Sequence, residues 1–144
     1  MPIPPDLRAY YPTDWPAISA AVRFERAQGP CEGCSRPHGH RVTALRDGRW
    51  YDPITGDWMD ADGARAPWPD IIEGAQARAW LVRLAACHRD HDPRNNDPAN
   101  LLALCQRCHM IHDRPYHLMR RRLRYLLRYA VGDLFWGPYP RTPG

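Results

Sequence analysis

Apolar and polar positions alternate along this chain with two periods, and the switches between them mark out its elements. Ile18, Ala21 and Val22, with Arg26 in step, follow helical spacing up to Gln28. Asp14 suits the N-cap, Pro16 fits the first turn, and Gly29-Pro30 ends the helix. Residues 1–13 ahead of it are Pro-rich and read as an extended arm wrapping the domain. Val42 to Leu45 reads as a short strand. Asp47-Gly48 and Thr55-Gly56 flank aromatic pairs, which predicts a hairpin with Trp50 and Trp58 facing each other across it rather than stacking on bases. Ala61 to Gly74, acidic and broken by Pro67 and Pro69, reads as a loop or insertion.

The strongest strand is Ala79 to Ala86, which runs straight into His88. A long polar loop follows from Asp90 to Asn100, then a second short strand at Leu101 to Leu104. A helix opens at Cys105 and carries Cys108, His109 and His112. Pro115 starts a further helix, in which Met119, Leu123, Leu126, Leu127, Ala130, Val131 and Leu134 form an apolar stripe. Arg120, Arg121, Arg124 and Arg128 fall on the other side, and the tail from Gly137 is Pro-rich and irregular. Strand, loop, strand, helix is an α+β arrangement.

Length and composition narrow this picture. The 144 residues are read as one domain: an arm and helix at 1–30, a core at 31–113 with a hairpin and acidic insertion at 46–75, and a helix and tail at 114–144. With 44% hydrophobic residues, 16 Pro and 10 Gly, the core is modest and the chain loop-rich. Such a chain gains from a metal staple. No apolar run approaches the roughly 20 residues needed to cross a bilayer, and the N-terminus lacks a signal-peptide pattern. A membrane partner is therefore not expected, and a cytoplasmic setting is. The formal charge is +4, and every basic residue is Arg. Acids outnumber Arg from Asp47 to Glu73, whereas from Arg114 onward Asp133 is the lone acid. One acidic and one basic pole suit a polyanionic partner, to which Arg offers bidentate phosphate contacts.

The chemistry concentrates in two places. Cys31 and Cys34 form one C-x-x-C pair and Cys105 and Cys108 another. Two such pairs far apart are the usual framework of a four-cysteine zinc site, with Gly33 relieving the turn of the first. A reducing compartment favours zinc over disulfides. Cys87 reads as a small buried apolar group, and His38 and His40 as solvated loop histidines. Around the second pair, His88, His91, His109 and His112 crowd together with Asp90, Asp92, Asn95, Asn96 and Asn100.

From Cys31 to Cys34 and from Leu81 to His112, the sequence resembles the HNH endonuclease family. The resemblance is carried by a histidine at a strand end, by Asp92-Pro93-Arg94-Asn95-Asn96-Asp97-Pro98-Ala99-Asn100-Leu101, and by Leu104-Cys105-Gln106-Arg107-Cys108-His109. It implies a ββα-metal, treble-clef-like core and a metal-dependent endonuclease that hydrolyses phosphodiester bonds, with double-stranded DNA as the expected partner. His88 then takes the place of the general base, Asn100 ties the loop together, and His109 binds a catalytic divalent ion such as Mg2+. His112, one turn along, is a second ligand or a phosphate contact. Cys31, Cys34, Cys105 and Cys108 match the cysteines of members that carry a structural zinc ion. Many members place Asp or His where this chain has Cys87. That departure leaves three readings: His91 or Asp90 completes the site, the ion is softer than magnesium, or the fold is kept for binding. The Arg face of the last helix would contact phosphates, about as readily as it would serve as a solvated face. A homodimer or larger assembly fits the resemblance. Two other functions stay open: a zinc-stapled binding module without catalysis, and a protein-binding inhibitor or adaptor that uses the acidic segment from Asp47 to Glu73.

Overall fold

The computed structural model describes residue 3 and residues 5–136 of the chain. The tail from Gly137, and the side chains of Val131 and Leu134 in the expected stripe, lie outside the described residues. The backbone divides into two compact units, residues 1–110 and 111–144. The observed class is α+β, built on two antiparallel sheets and helices. Among the described residues no helix is long and apolar enough to cross a membrane.

In the first unit the arm is not extended throughout: Pro5–Tyr10 forms a 3-10 turn. Helix α1 (Trp15–Ala20) follows and runs on through a wider π-type turn at Ala21–Arg26. Pro16 sits in the first turn as expected, but Asp14 makes no side-chain capping bond. Gly29, at φ 98, provides the left-handed exit.

A four-stranded sheet comes next, from β1 (Arg41–Ala44), β2 (Trp50–Tyr51), β3 (Trp58–Met59) and β4 (Arg78–Leu81), in the order β3-β2-β1-β4. The turn signals fall where the sequence puts them, with Gly48 at φ 101 and Gly56 at φ 77. The facing pair is not Trp50 with Trp58. The register sets Tyr51 opposite Trp58 and Trp50 opposite Met59. A shift of one residue turns a side chain to the other face of a sheet, and it sends Trp50 into the core. The acidic insertion contains a short helix, α2 (Ile71–Ala75), closed by a reciprocal capping box between Asp70 and Glu73. Several of its acids are paired internally: Arg49 bridges Asp47 and Glu73, and Arg65 meets Asp57.

The expected single strand over Ala79–Ala86 is in fact two strands in different sheets, β4 and β5 (Leu84–His88). Val82 gives both of its backbone groups to the preceding turn: its N–H donates to His40 O at 2.9 Å and its carbonyl accepts from Gly39 at 2.8 Å. The next two N–H groups go to side chains, Arg83 to Gln106 Oε1 and Leu84 to His38 Nδ1, each at 3.0 Å. His38 is therefore a structural acceptor and not a solvated loop residue, whereas His40 is exposed. Burial, with Arg23 and Arg83 nearby, holds the His38 imidazole below its ordinary pKa. A continuous apolar run carries no mark of this corner, because Val82 and Leu84 are both buried on either side of it.

β5 pairs antiparallel with β6 (Leu101–Cys105), with His88 opposite Leu101 and Leu84 opposite Cys105. Helix α3 (Gln106–Trp136) starts where β6 ends. It is one helix: Pro115 lies inside it and does not start a new one. Proline removes one backbone bond and crowds the carbonyl four residues back, at a cost of about 3 kcal/mol, and the helix nevertheless runs through it. The described stripe residues Met119, Leu123, Leu126 and Leu127 are exposed.

The core of the first unit gathers Val22, Val42, Trp50, Val82, Leu84, Cys87, Leu101, Ala103 and Leu104 around three of the paired cysteines. Each large apolar side chain contributes on the order of 1.5–3 kcal/mol by burial. The insertion also meets the core backbone. A Cβ on Gly63, which sits at φ 92, would lie 2.9 Å from the Cys34 carbonyl oxygen. Gly63→Ala should therefore lower stability by about 1–3 kcal/mol, read as a lower melting temperature of the purified protein. An unchanged melt would show that the insertion does not press on this turn.

Candidate metal centre and the histidine loop

Three elements deliver the four paired cysteines to one place. Cys31 and Cys34 come from the turn after Pro30, Cys105 is the last residue of β6, and Cys108 lies in the first turn of α3. Their sulfur atoms all lie within 4.8 Å of one another. Cys34 Sγ and Cys105 Sγ are 3.6 Å apart. A tetrahedral zinc–thiolate site, with bonds of about 2.3 Å, requires sulfur–sulfur edges of roughly 3.8 Å. The donor set and its spacing fit such an ion.

The local backbone explains the convergence. The Cys31 carbonyl accepts from Ser35 N at 2.8 Å, and Ser35 takes the left-handed conformation that closes the knuckle, at φ 60. Gly33 is needed for room and not for conformation, since a Cβ there would stand 3.2 Å from Cys108 Sγ. Cys31 Sγ accepts from Cys105 N at 3.2 Å. Glu32 ties the knuckle to β6 and to the helical turn: its carboxylate accepts from Ala103 N at 2.5 Å and from Arg26 at 2.7 Å.

Crowding divides the protons unevenly among the sulfurs. Cys105 is pushed well below the ordinary thiol range by its contacts with Cys108, Cys31 and Cys34. Cys34 is lowered to about 6: Cys105 raises it, but bonding with Cys108, Cys31 and the Arg36 backbone outweighs that. Cys31 and Cys108 are raised, in each case chiefly by Cys105. The cluster thus favours thiolate on some sulfurs and retains protons on others. A divalent cation favours thiolate on all four and releases those protons.

The sequence reading missed Arg36. Its guanidinium is 0% exposed. Nη1 donates to Cys34 Sγ at 3.0 Å and Nη2 to Gly48 O at 2.8 Å. The group lies 5.2 Å from the Trp50 ring and 5.8 Å from the Trp80 ring, and its Nε has no hydrogen-bond partner among the described residues. A cation so enclosed is costly unless compensated. Four thiolates around a divalent ion carry a net charge of about −2, and the sulfur on Arg36 is one of them. Arginine two residues beyond a C-x-x-C pair carries no sequence signal, because its burial depends on β2 and β4.

The histidines are distributed along the neighbouring loop and helix. His88, the last residue of β5, is 6% exposed. Its ring stacks on Trp15 at 5.0 Å and 17° and meets the edge of Tyr11 at 5.7 Å. Its Nε2 lies 3.0 Å from Asn96 Oδ1. Asn100 closes the loop: Nδ2 donates to Asp90 Oδ1 at 2.9 Å and to Asn95 O at 2.8 Å, while its carbonyl accepts from Arg89 N at 2.8 Å. His91 is half-buried and held at φ 59, a conformation uncommon outside glycine. His109 is half-buried on the first turns of α3. Cys87 is buried in the core, as expected of a small apolar group.

In the second unit Asp113, another residue the sequence reading passed over, lies 3.1 Å from His112 Nδ1. A carboxylate on one ring nitrogen leaves the lone pair on the other, an arrangement common among metal-ligating histidines. Arg121, Arg124 and Arg128 are exposed on α3, and the Arg120 guanidinium lies 5.7 Å from the Tyr116 ring.

Chelation that strips the metal from the purified protein should unfold the first unit, since structural zinc supplies on the order of 10 kcal/mol or more of folding free energy. Far-ultraviolet circular dichroism and metal analysis would read this. An unchanged melt after confirmed metal loss would remove the staple. Arg36→Met should weaken zinc binding about 10- to 100-fold in competition with a chromogenic chelator, as loss of a ligand's hydrogen-bond partner does elsewhere. Equal affinity would show that Arg36 does not balance the sulfurs. No family model, curated protein or solved structure matches this chain.

Proposed function

We propose that the chain is a zinc-stapled HNH-type endonuclease hydrolysing phosphodiester bonds of nucleic acid, with double-stranded DNA as the first substrate to test. The observation that supports it most is the order β5, loop, β6, α3, with His88 at the strand end and the second cysteine pair at the strand–helix junction. That order agrees with a ββα-metal core. A zinc ion held by Cys31, Cys34, Cys105 and Cys108 would supply folding stability and no chemistry. His88 would take a proton from the attacking water, and Asn100 would keep the loop closed around it. His109, with His91 as a further candidate in the same unit, would hold a catalytic divalent ion, Mg2+ or a softer one, whose charge would stabilise the phosphate oxygens. Cys87, packed in the core, leaves the ligand role at its position to another residue. Arg120, Arg121, Arg124 and Arg128 would contact phosphates.

One observation favours a second reading. His88 lies beneath Trp15 and Tyr11 and is almost enclosed, which suits a structural histidine in a nucleic-acid-binding module without catalysis.

Nicking of supercoiled plasmid across a panel of Mg2+, Mn2+, Ni2+ and Zn2+ separates the two. The nuclease reading expects cleavage with at least one ion and a loss of about 10²- to 10⁴-fold in His88→Ala, the usual range for a missing general base. Cleavage by His88→Ala at the wild-type rate would end that assignment. No cleavage with any ion, together with DNA affinity that falls steeply with salt, would establish the binding module instead.

A further inference from the structure

Asn96 faces His88 in a way that leaves little freedom to either side chain. Its Nδ2 donates to Pro93 O at 3.2 Å and to Arg94 O at 3.3 Å. Both partners are carbonyl oxygens and can only accept. Turning the amide over would set Oδ1 against both and lose both bonds. The amide oxygen is therefore fixed toward His88, where Nε2 stands 3.0 Å away. An oxygen acceptor at that distance requires a hydrogen on Nε2. In a neutral imidazole the lone pair is then on Nδ1. Trp15, stacked at 17°, sets the plane of the same ring, and Tyr11 closes its edge.

From this we infer that Asn96 is the positioning residue for His88: it holds the imidazole in the Nε2–H tautomer and makes Nδ1 the nitrogen that accepts a proton. The catalytic part of this inference rests on the nuclease reading, whereas the tautomer assignment does not. When Nδ1 accepts a proton, Nε2 keeps its own hydrogen and Asn96 keeps its bond. The transfer forms one N–H bond at Nδ1, breaks one O–H bond of water, and requires no rearrangement of the loop. Asn100 has a different task. Its side chain bonds only within the loop, to Asp90 and Asn95, so the two asparagines divide loop closure from ring orientation.

The test is made on the zinc-loaded full chain labelled with 15N-histidine, using the two-bond correlations of the His88 ring. Wild type should show the pattern of an Nε2–H tautomer at a pH where the ring is neutral. Asn96→Ala should shift His88 toward a mixture of tautomers, with zinc content unchanged. A wild-type Nδ1–H pattern overturns the inference without any variant, so a variant that fails to fold does not leave it untested. An unaltered tautomer in folded Asn96→Ala overturns it as well. In the plasmid assay Asn96→Ala should lower the cleavage rate about 10- to 100-fold with DNA affinity unchanged. A wild-type rate in that variant would separate Asn96 from the chemistry. If wild type shows the Nε2–H pattern but cuts with no metal, the nuclease reading fails and the assignment of the ring stands.

Discussion

Four sulfur atoms drawn from two distant stretches set the geometry of the first unit. The core of the first unit is modest, and the two-stranded sheet β5–β6 is marginal by itself. Closing the knuckle at Cys31 and Cys34 onto the end of β6 fixes three things together: the register of β5 with β6, the start of α3, and the position of Glu32 against the Ala103 backbone. The sulfurs are in turn adjusted by their surroundings. Arg36, enclosed between Trp50 and Trp80, joins the cluster to the four-stranded sheet through Cys34 and through the Gly48 carbonyl. Charge at the cluster and packing in that sheet are thus not independent.

The same scaffold explains why a long polar loop has a definite shape. Between β5 and β6 the backbone has few ladder bonds, and side-chain amides and carboxylates replace them. Asp90 accepts from Asn95 and Asn100, Asp92 is ion-paired with Arg94, and Asp97 caps the short turn before β6. The composition of the loop, rich in Asp, Asn and Pro, is what such a network needs. It also places His88 among neighbours that control its orientation, its tautomer and its exposure. Those neighbours enclose the ring and fix its plane, as either a catalytic base or a structural histidine requires.

Charge is more local than the sequence suggests. The acidic stretch from Asp47 to Glu73 looks like a uniform pole, but Arg49 and Arg65 pair with three of its acids and Asp52 turns inward to its own loop. That weakens its case as a docking face for a basic protein. The Arg residues of α3 stand in a stretch poor in acids: from Arg114 onward Asp133 is the lone acid in the sequence.

Much of this was legible in the chain itself. The two C-x-x-C pairs, the turns at Gly48 and Gly56, the strand at Leu101 to Leu104 and the loop ahead of it all follow from residue type and spacing, which act over a few neighbours. The capping box of α2 is also written locally in Asp70 and Glu73, although Pro67 and Pro69 beside it read as a loop. Other features were decided only in three dimensions. The corner at Val82 and the burial of Arg36 depend on groups up to tens of residues away, whereas the sheet register that turns Trp50 inward, the unbroken path of α3 through Pro115 and the pairing of Asn96 with His88 depend on nearer groups whose geometry residue spacing does not mark. Local physics marked the cysteine pairs and the turns; packing between segments decided which face Trp50 takes and which cation the cysteines meet.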